Sequence, residues 1–166
     1  MNIVHRDIKG ENILLGGEMT VEETDVVVKI SDFGLACYMD PSSKGLKKFC
    51  GSDLFMAPEI LKNWDNPSSL PNIYKSKLQN YDCKVDIWAL GVMTFEMLSG
   101  GHLPFESGDT GQRHADVLTR RPPYSQYPVF QDRGIRDFVK MCLLVDPTKR
   151  PSAKALLTHS WLKNHK

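Results

Sequence analysis

Short apolar runs and longer helical periods divide this chain into two kinds of territory. Near the start, "NILL" (Asn12 to Leu15) and "VVVKI" (Val26 to Ile30) flank the polar, Gly-started connection "GGEMTVEETD". That pattern predicts two short strands paired as a hairpin. Residues Gly34 to Cys50 mix Gly, Ser, Asp, Pro and Lys without a period. They predict a long loop, and loops of that length inside compact domains usually serve function. "NWDNPSSLPN" (Asn63 to Asn72) predicts a surface insertion. After it the pattern turns helical. "VDIWALGVMTFEML" is apolar nearly all round, which predicts a buried helix. "GIRDFVKMCLLV" puts Ile135, Phe138, Val139, Cys142 and Val145 on one helical face. A last helix is predicted after Arg150, with Pro151 at its first position and Ala153, Ala155, Leu156 and Leu157 inside. The expected fold class is α+β, mainly α-helical, with its strands in the first third.

Composition narrows the class only slightly. The 166 residues suffice for one domain with a sizeable core, and 41% hydrophobic with 25% charged residues excludes a disordered chain. A net charge of +1 argues against a nucleic-acid binder, and the short basic run "KGLKK" reads as a solvated loop. Cys37, Cys50, Cys83 and Cys142 are scattered, without C-x-x-C or metal-ligand spacing, which fits reduced thiols. There is no apolar run of signal-peptide or membrane-spanning kind. The expectation is a soluble protein of the cytoplasm or nucleus, with neither nucleic acid nor membrane as partner.

The chemistry is concentrated early. His5-Arg6-Asp7 is followed by Asn12 in the pattern H-R-D-x-x-x-x-N. Phosphoryl transfer needs a carboxylate facing the incoming hydroxyl and an oxygen ligand for a metal nearby, and Asp7 and Asn12 on one tight loop would supply both. Four specified residues at fixed spacing arise by chance in about one chain in a thousand of this length. A polar turn before a strand is the plain alternative. Asp32-Phe33-Gly34 follows the strand "VVVKI" directly: Asp32 would ligate a metal, Phe33 pack inward and Gly34 let the backbone turn. Alone, Asp-x-Gly is also an ordinary strand-ending turn. Ala57-Pro58-Glu59 comes third, and its Glu could equally cap a helix start.

In that order the three motifs resemble the second half of the protein-kinase signature set. The chain is similar, throughout its length, to the C-terminal lobe of a eukaryotic protein kinase, with a short β-hairpin at the catalytic loop. "DIWALGV" resembles the family's central buried helix, whose Asp, here Asp86, holds the catalytic loop's backbone. "LLVDPTKRPSAKALLTHSWL" resembles the terminal segment, with Arg150 matching the Arg that pairs with the A-P-E glutamate, Glu59. The resemblance implies a Ser/Thr protein kinase using ATP and Mg2+. Asp7 would be the catalytic base or orienting carboxylate, and Lys9 would sit against the transferred phosphoryl group. Asn12 and Asp32 would hold magnesium, and Leu14 would lie under the adenine with Met93 and Met97 below, although core filling explains both methionines as well. Ser52 matches the position that separates Ser/Thr from Tyr substrates. Glu11 and Glu96 match acids that hold an Arg upstream of the phosphoacceptor, with a solvated surface Glu as the alternative. The hairpin length and "HSWL" resemble the calmodulin-dependent and checkpoint-kinase group.

Some positions depart from the family. Gly10 and Asp53 stand where Pro is common, and Phe55 where Tyr is common; the latter two are expected to alter the peptide shelf only modestly. Lys48 occupies the place of an activating phospho-Thr and would repel Arg6. That leaves Ser42 or Ser43 to serve if the loop is switched by phosphorylation. No G-x-G-x-x-G loop and no V-A-I-K lysine occur, so residues 1–166 read as a partial kinase domain that begins mid-domain, without its N-lobe and the helix before the catalytic loop. Apolar surface on the Ile87–Leu98 helix is expected to be exposed as a result. Two functional readings follow: a kinase whose lobe is inactive alone unless another chain supplies the N-lobe, or a non-catalytic interaction module binding a substrate or kinase partner.

Overall fold

The computed structural model describes residues 2–16, 26–40, 42–63 and 80–163. Two small antiparallel sheets occur among the described residues. Strand β1 (Ile3–Val4) pairs with β4 (Cys37–Tyr38), and β2 (Ile13–Gly16) pairs with β3 (Val27–Ile30), Ile13 opposite Ile30 and Gly16 opposite Val27. The predicted hairpin is present. The predicted loop from Gly34 to Cys50 is not wholly irregular, because β4 and a bridge between Leu46 and Tyr81 tie it down. Most of the "NWDNPSSLPN" stretch lies outside the described residues.

Among the described residues the α-helices are α1 (Pro58–Leu61), α2 (Lys84–Ser99), α3 (Thr110–Thr119), α4 (Arg133–Cys142), α5 (Ala153–Leu156) and α6 (Ser160–Lys163). Each of the longer ones starts or stops on a physical signal. Asp109 and Asp132 accept backbone hydrogen bonds from Gln112 and Ile135 at the starts of α3 and α4. Gly100, at φ 82°, ends α2 in the left-handed conformation that favours glycine. Helix α2 is the axis of the core, with Trp88, Val92 and Phe95 essentially inaccessible. Phe95 stacks on Phe130 at 4.7 Å between centroids, with Tyr124 and Tyr127 edge-on. Helix α4 crosses α2 so closely that a Cβ at Gly91 would lie 2.6 Å from the Cys142 Cβ. Only glycine permits that approach. Burial drives the Cys142 thiol up to about 12, against the nearby Arg150 charge, so this cysteine is packing material.

Four expectations need correcting, the first being Phe33, which is 56% exposed rather than packed inward. Pro151 is not the first helical residue: Ser152 caps α5 by accepting from the Ala155 amide, which leaves Pro151 before the cap and Leu157 past the helix end, 70% exposed. Val145 is 38% exposed because α4 stops at Cys142 and the helical period no longer applies. The exposed apolar surface is not chiefly on α2, where only Met97 is strongly exposed. It lies on the strands, at Leu14, Leu15, Val27, Val28 and Ile30, with Phe33 beside them. A two-stranded ribbon has no second layer on which to bury both faces. Among the described residues no helix is long and apolar enough to cross a membrane.

Candidate active site

The loop from His5 to Asn12 is held in an unusual shape. Arg6 has φ 68°, a left-handed conformation costly for any residue with a Cβ. Asp86, from the first turn of α2, stabilises it by accepting the amides of His5 and Arg6, each at 2.8 Å. Burial raises the Asp86 carboxyl above its ordinary value, and these two amides offset only part of that effect. The His5 ring sits edge-on to Phe33 at 5.0 Å, and its Nε2 lies 3.0 Å from the Ser31 carbonyl. The loop is thereby fastened to the Asp32-Phe33-Gly34 turn. Asp32 is itself left-handed, φ 56°, and accepts the Gly34 amide at 3.2 Å.

Fixed in this way, the loop brings four polar side chains together. Asp7 is nearly buried; its Oδ1 accepts the Ser52 amide at 2.9 Å. Its Oδ2 lies 3.3 Å from Lys9 Nζ and accepts from Asn12 Nδ2 at 3.2 Å. Lys9 Nζ also donates to Ser52 Oγ at 2.7 Å. Burial pushes the Asp7 carboxyl up, but the Ser52 hydroxyl and amide with the Lys9 ammonium outweigh it and hold it below the ordinary range. Asp7 is therefore an anion with a cation and a hydroxyl beside it.

Asn12 donates to both the carbonyl and carboxylate of Asp7, which turns its own amide oxygen away from Asp7. The Asn12 carbonyl receives the Ser31 amide at 2.9 Å, so the β2–β3 ladder sets Asn12 next to the turn bearing Asp32. A carboxylate and an amide oxygen are hard donors that suit magnesium, which normally completes its shell with water and phosphate oxygens. No cluster of three or more His, Cys, Asp or Glu able to hold a metal occurs among the described residues. The donor set fits a metal carried with a phosphate ligand.

The remaining expected residues fall around this centre. Glu59 and Arg150 form a buried, doubly bonded pair at 2.7 and 2.6 Å. Glu96 is raised first by burial and then by the charge of Glu11, which puts the two acids within electrostatic reach of one another. Leu14 is exposed on β2. Ser42 and Ser43 are both exposed, and Ser42 donates amide and hydroxyl to Asp40 Oδ1. Lys48, expected to repel Arg6, lies near it through a shared partner, Tyr81. The Lys48 side chain is exposed, and its carbonyl accepts the Tyr81 hydroxyl at 2.6 Å. Arg6 in turn donates to the Leu35 carbonyl at 2.7 Å and to that same Tyr81 oxygen at 3.4 Å. Asp53 also reaches past the peptide shelf: its carboxylate binds Arg113 and His114 of α3. Neither Tyr81 nor these two α3 residues carries a sequence signal, although Asp53 stood out as a departure.

Comparison with known proteins shows the family. A family model described as protein kinase domain matches residues 1–162. The serine/threonine-protein kinase RAD53 of Saccharomyces cerevisiae is 36% identical over 167 residues, covering 98% of this chain and 19% of that protein. Serine/threonine-protein kinase pakG of Dictyostelium discoideum is 35% identical over 162 residues, 97% of this chain and 12% of the relative. The phosphorylase b kinase gamma catalytic chain, liver/testis isoform, of Bos taurus is 34% identical over 168 residues, 98% and 36% respectively. This chain thus spans well under half of each of these relatives, but the family match runs nearly end to end, and the chain belongs to the protein kinase family.

Proposed function

We propose that the protein is a Ser/Thr protein kinase that transfers the γ-phosphoryl group of MgATP to a protein hydroxyl. The observation behind this reading is the joint grip of Asp7 and Lys9 on Ser52. Asp7, anionic and backed by the Ser52 amide, orients the substrate hydroxyl and takes up its proton as the oxygen attacks. Lys9, which bridges Asp7 and Ser52, places positive charge where the transferring group gains negative charge. Magnesium with the nucleotide, held through Asn12 and Asp32, would supply the transferable phosphoryl group and screen its charge. Leu14 supplies an apolar floor for the adenine, and the exposed strand face around it suits contact with a nucleotide-binding lobe. The resemblance to calmodulin-dependent and checkpoint kinases, and a cytoplasmic or nuclear location, belong to the same proposal.

Residues 1–166 contain neither a Gly-rich phosphate loop nor a V-A-I-K lysine, so this segment by itself should transfer phosphate slowly. The test is γ-phosphate transfer from MgATP to Ser and Thr peptides by the full-length gene product, beside Asp7→Asn and beside the isolated segment. Transfer lost in Asp7→Asn supports the reading; transfer that survives Asp7→Asn refutes it. A second reading, a lobe that binds a kinase or substrate without turnover, draws on the exposed apolar hairpin. It is favoured if the full-length protein binds a peptide but never transfers phosphate.

Of the two serines open to regulatory phosphorylation, Ser43 is the better placed. A phosphate on Ser42 would meet the carboxylate of Asp40, which Ser42 now contacts at 2.7 Å. Mapping of phosphopeptides from cells, with modification at Ser42 and none at Ser43, would contradict this.

A further inference from the structure

The short loop that presents Ser52 to the catalytic aspartate is gripped from both sides. On one side, Ser52 gives its amide to Asp7 and receives Lys9 on its hydroxyl. On the other, the next residue, Asp53, turns its carboxylate toward α3. Oδ2 takes Arg113 Nη1 and Oδ1 meets His114 Nε2. The His114 side chain is 1% exposed and that of Arg113 15%. Arg113 also donates Nη2 to the Ser107 carbonyl at 2.9 Å. Two adjacent residues of α3, far from Asp53 in sequence, therefore hold one carboxylate.

The loop has little slack between these grips. Gly51 has φ 115°, and a Cβ there would lie 2.5 Å from the Arg6 carbonyl oxygen, so the chain already presses against the catalytic loop. Asp53 opens a single tight turn, Asp53–Phe55. Helix α3 is anchored by the burial of His114, Val117 and Leu118, with Val117 in the core, and Asp109 caps its start. Displacing Asp53 would displace Ser52.

We propose that Asp53, clamped by Arg113 and His114, is a positioning residue for phosphoryl transfer that sets Ser52 against Asp7 and Lys9. This rests on the kinase reading above. It makes the rate of the chemical step depend on a helix that does not touch the reacting groups.

The experiment compares the full-length protein with Asp53→Asn, Arg113→Met and the double variant. Three quantities are measured: kcat and KM for a Ser peptide, KM for ATP, and amide hydrogen exchange across residues 50–54. Asp53→Asn should lower kcat about tenfold, in the range expected when a reacting group is slightly misplaced, with the KM for ATP unchanged. Arg113→Met should act similarly, and the double variant should be no worse than the worse single, because the pair works as one unit. Exchange at residues 50–54 should quicken in all three. An unchanged kcat with a lowered melting temperature, multiplied losses in the double variant, or unaltered exchange would each overturn the proposal. If wild type transfers no phosphate, the kinase reading and the catalytic consequence fail together. The exchange measurement needs no turnover and separately decides whether Asp53 holds the Ser52 loop.

Discussion

Breaking the Glu59–Arg150 pair should destabilise the protein more than any other single ionic change at the site. Both side chains are essentially inaccessible, 2% and 0% exposed, and the guanidinium lies 5.1 Å from the Trp88 ring centroid. Arg150 makes two bonds to Glu59 and donates further to the carbonyls of Leu144 at 2.6 Å, Lys84 at 2.9 Å and Val145 at 3.3 Å. Removing one partner of a buried pair costs about 3–5 kcal/mol because the other charge is stranded. Glu59→Gln keeps one acceptor and leaves the guanidinium its three carbonyls, so it belongs near the lower end, about 3 kcal/mol. Arg150→Met strands a carboxylate and three carbonyls together, so about 5 kcal/mol is expected. Whole domains are stable by only about 5–15 kcal/mol, so that variant should unfold at markedly lower urea or lose its cooperative transition. The double variant Glu59→Gln/Arg150→Met strands no charge and should recover about 2 kcal/mol relative to the summed singles, although the orphaned carbonyls prevent full recovery. Urea denaturation followed by circular dichroism measures all of these. Costs below about 1 kcal/mol for both singles, or strict additivity in the double, would refute the reasoning.

Three further outcomes are expected. Tyr81→Phe removes the hydroxyl joining Arg6 to the Lys48 carbonyl and should cost about 1–3 kcal/mol, the usual penalty for a buried group left unbonded; an unchanged urea midpoint would count against it. In the full-length enzyme, Glu11→Ala with Glu96→Ala should reduce preference for peptides carrying an Arg upstream of the acceptor, because that Arg would offset the burial and the Glu11 charge that raise Glu96; equal losses on basic and neutral peptides would contradict this. The Asp7 carboxyl is held below its ordinary 3.8, so its stabilisation is present above that value and lost as pH falls through its lowered pKa. The stability gap between wild type and Asp7→Asn should accordingly narrow on acidification, and a gap that widens toward low pH in urea titrations would show the sign to be wrong.

Much of the candidate site was legible because it is local. Asp7, Lys9 and Asn12 share one loop, and the ladder pairing Ile13 with Ile30 delivers Asp32 next to it, so short-range spacing already specifies the neighbours. The partnerships of Asp86 with the loop and of Glu59 with Arg150 are not local, and only a likeness to a known family made them visible beforehand. The positions of α2 and α4 were legible from periodicity, but α3 was not foreseen and helix ends were not legible. Pro151, Leu157 and Val145 were misplaced because the Ser152 cap and the end of α4 depend on where the chain turns against its neighbours. Asp53 with Arg113 and His114, and Tyr81 with Arg6, had no pattern at all. Those contacts join residues 60 or more positions apart, and a hydrogen bond across such a span exists only once packing has brought both groups to within about 3 Å. Sequence alone determined which groups could do chemistry. The packing of α3 and of the segment before α2 against the loops decided which groups hold them in place.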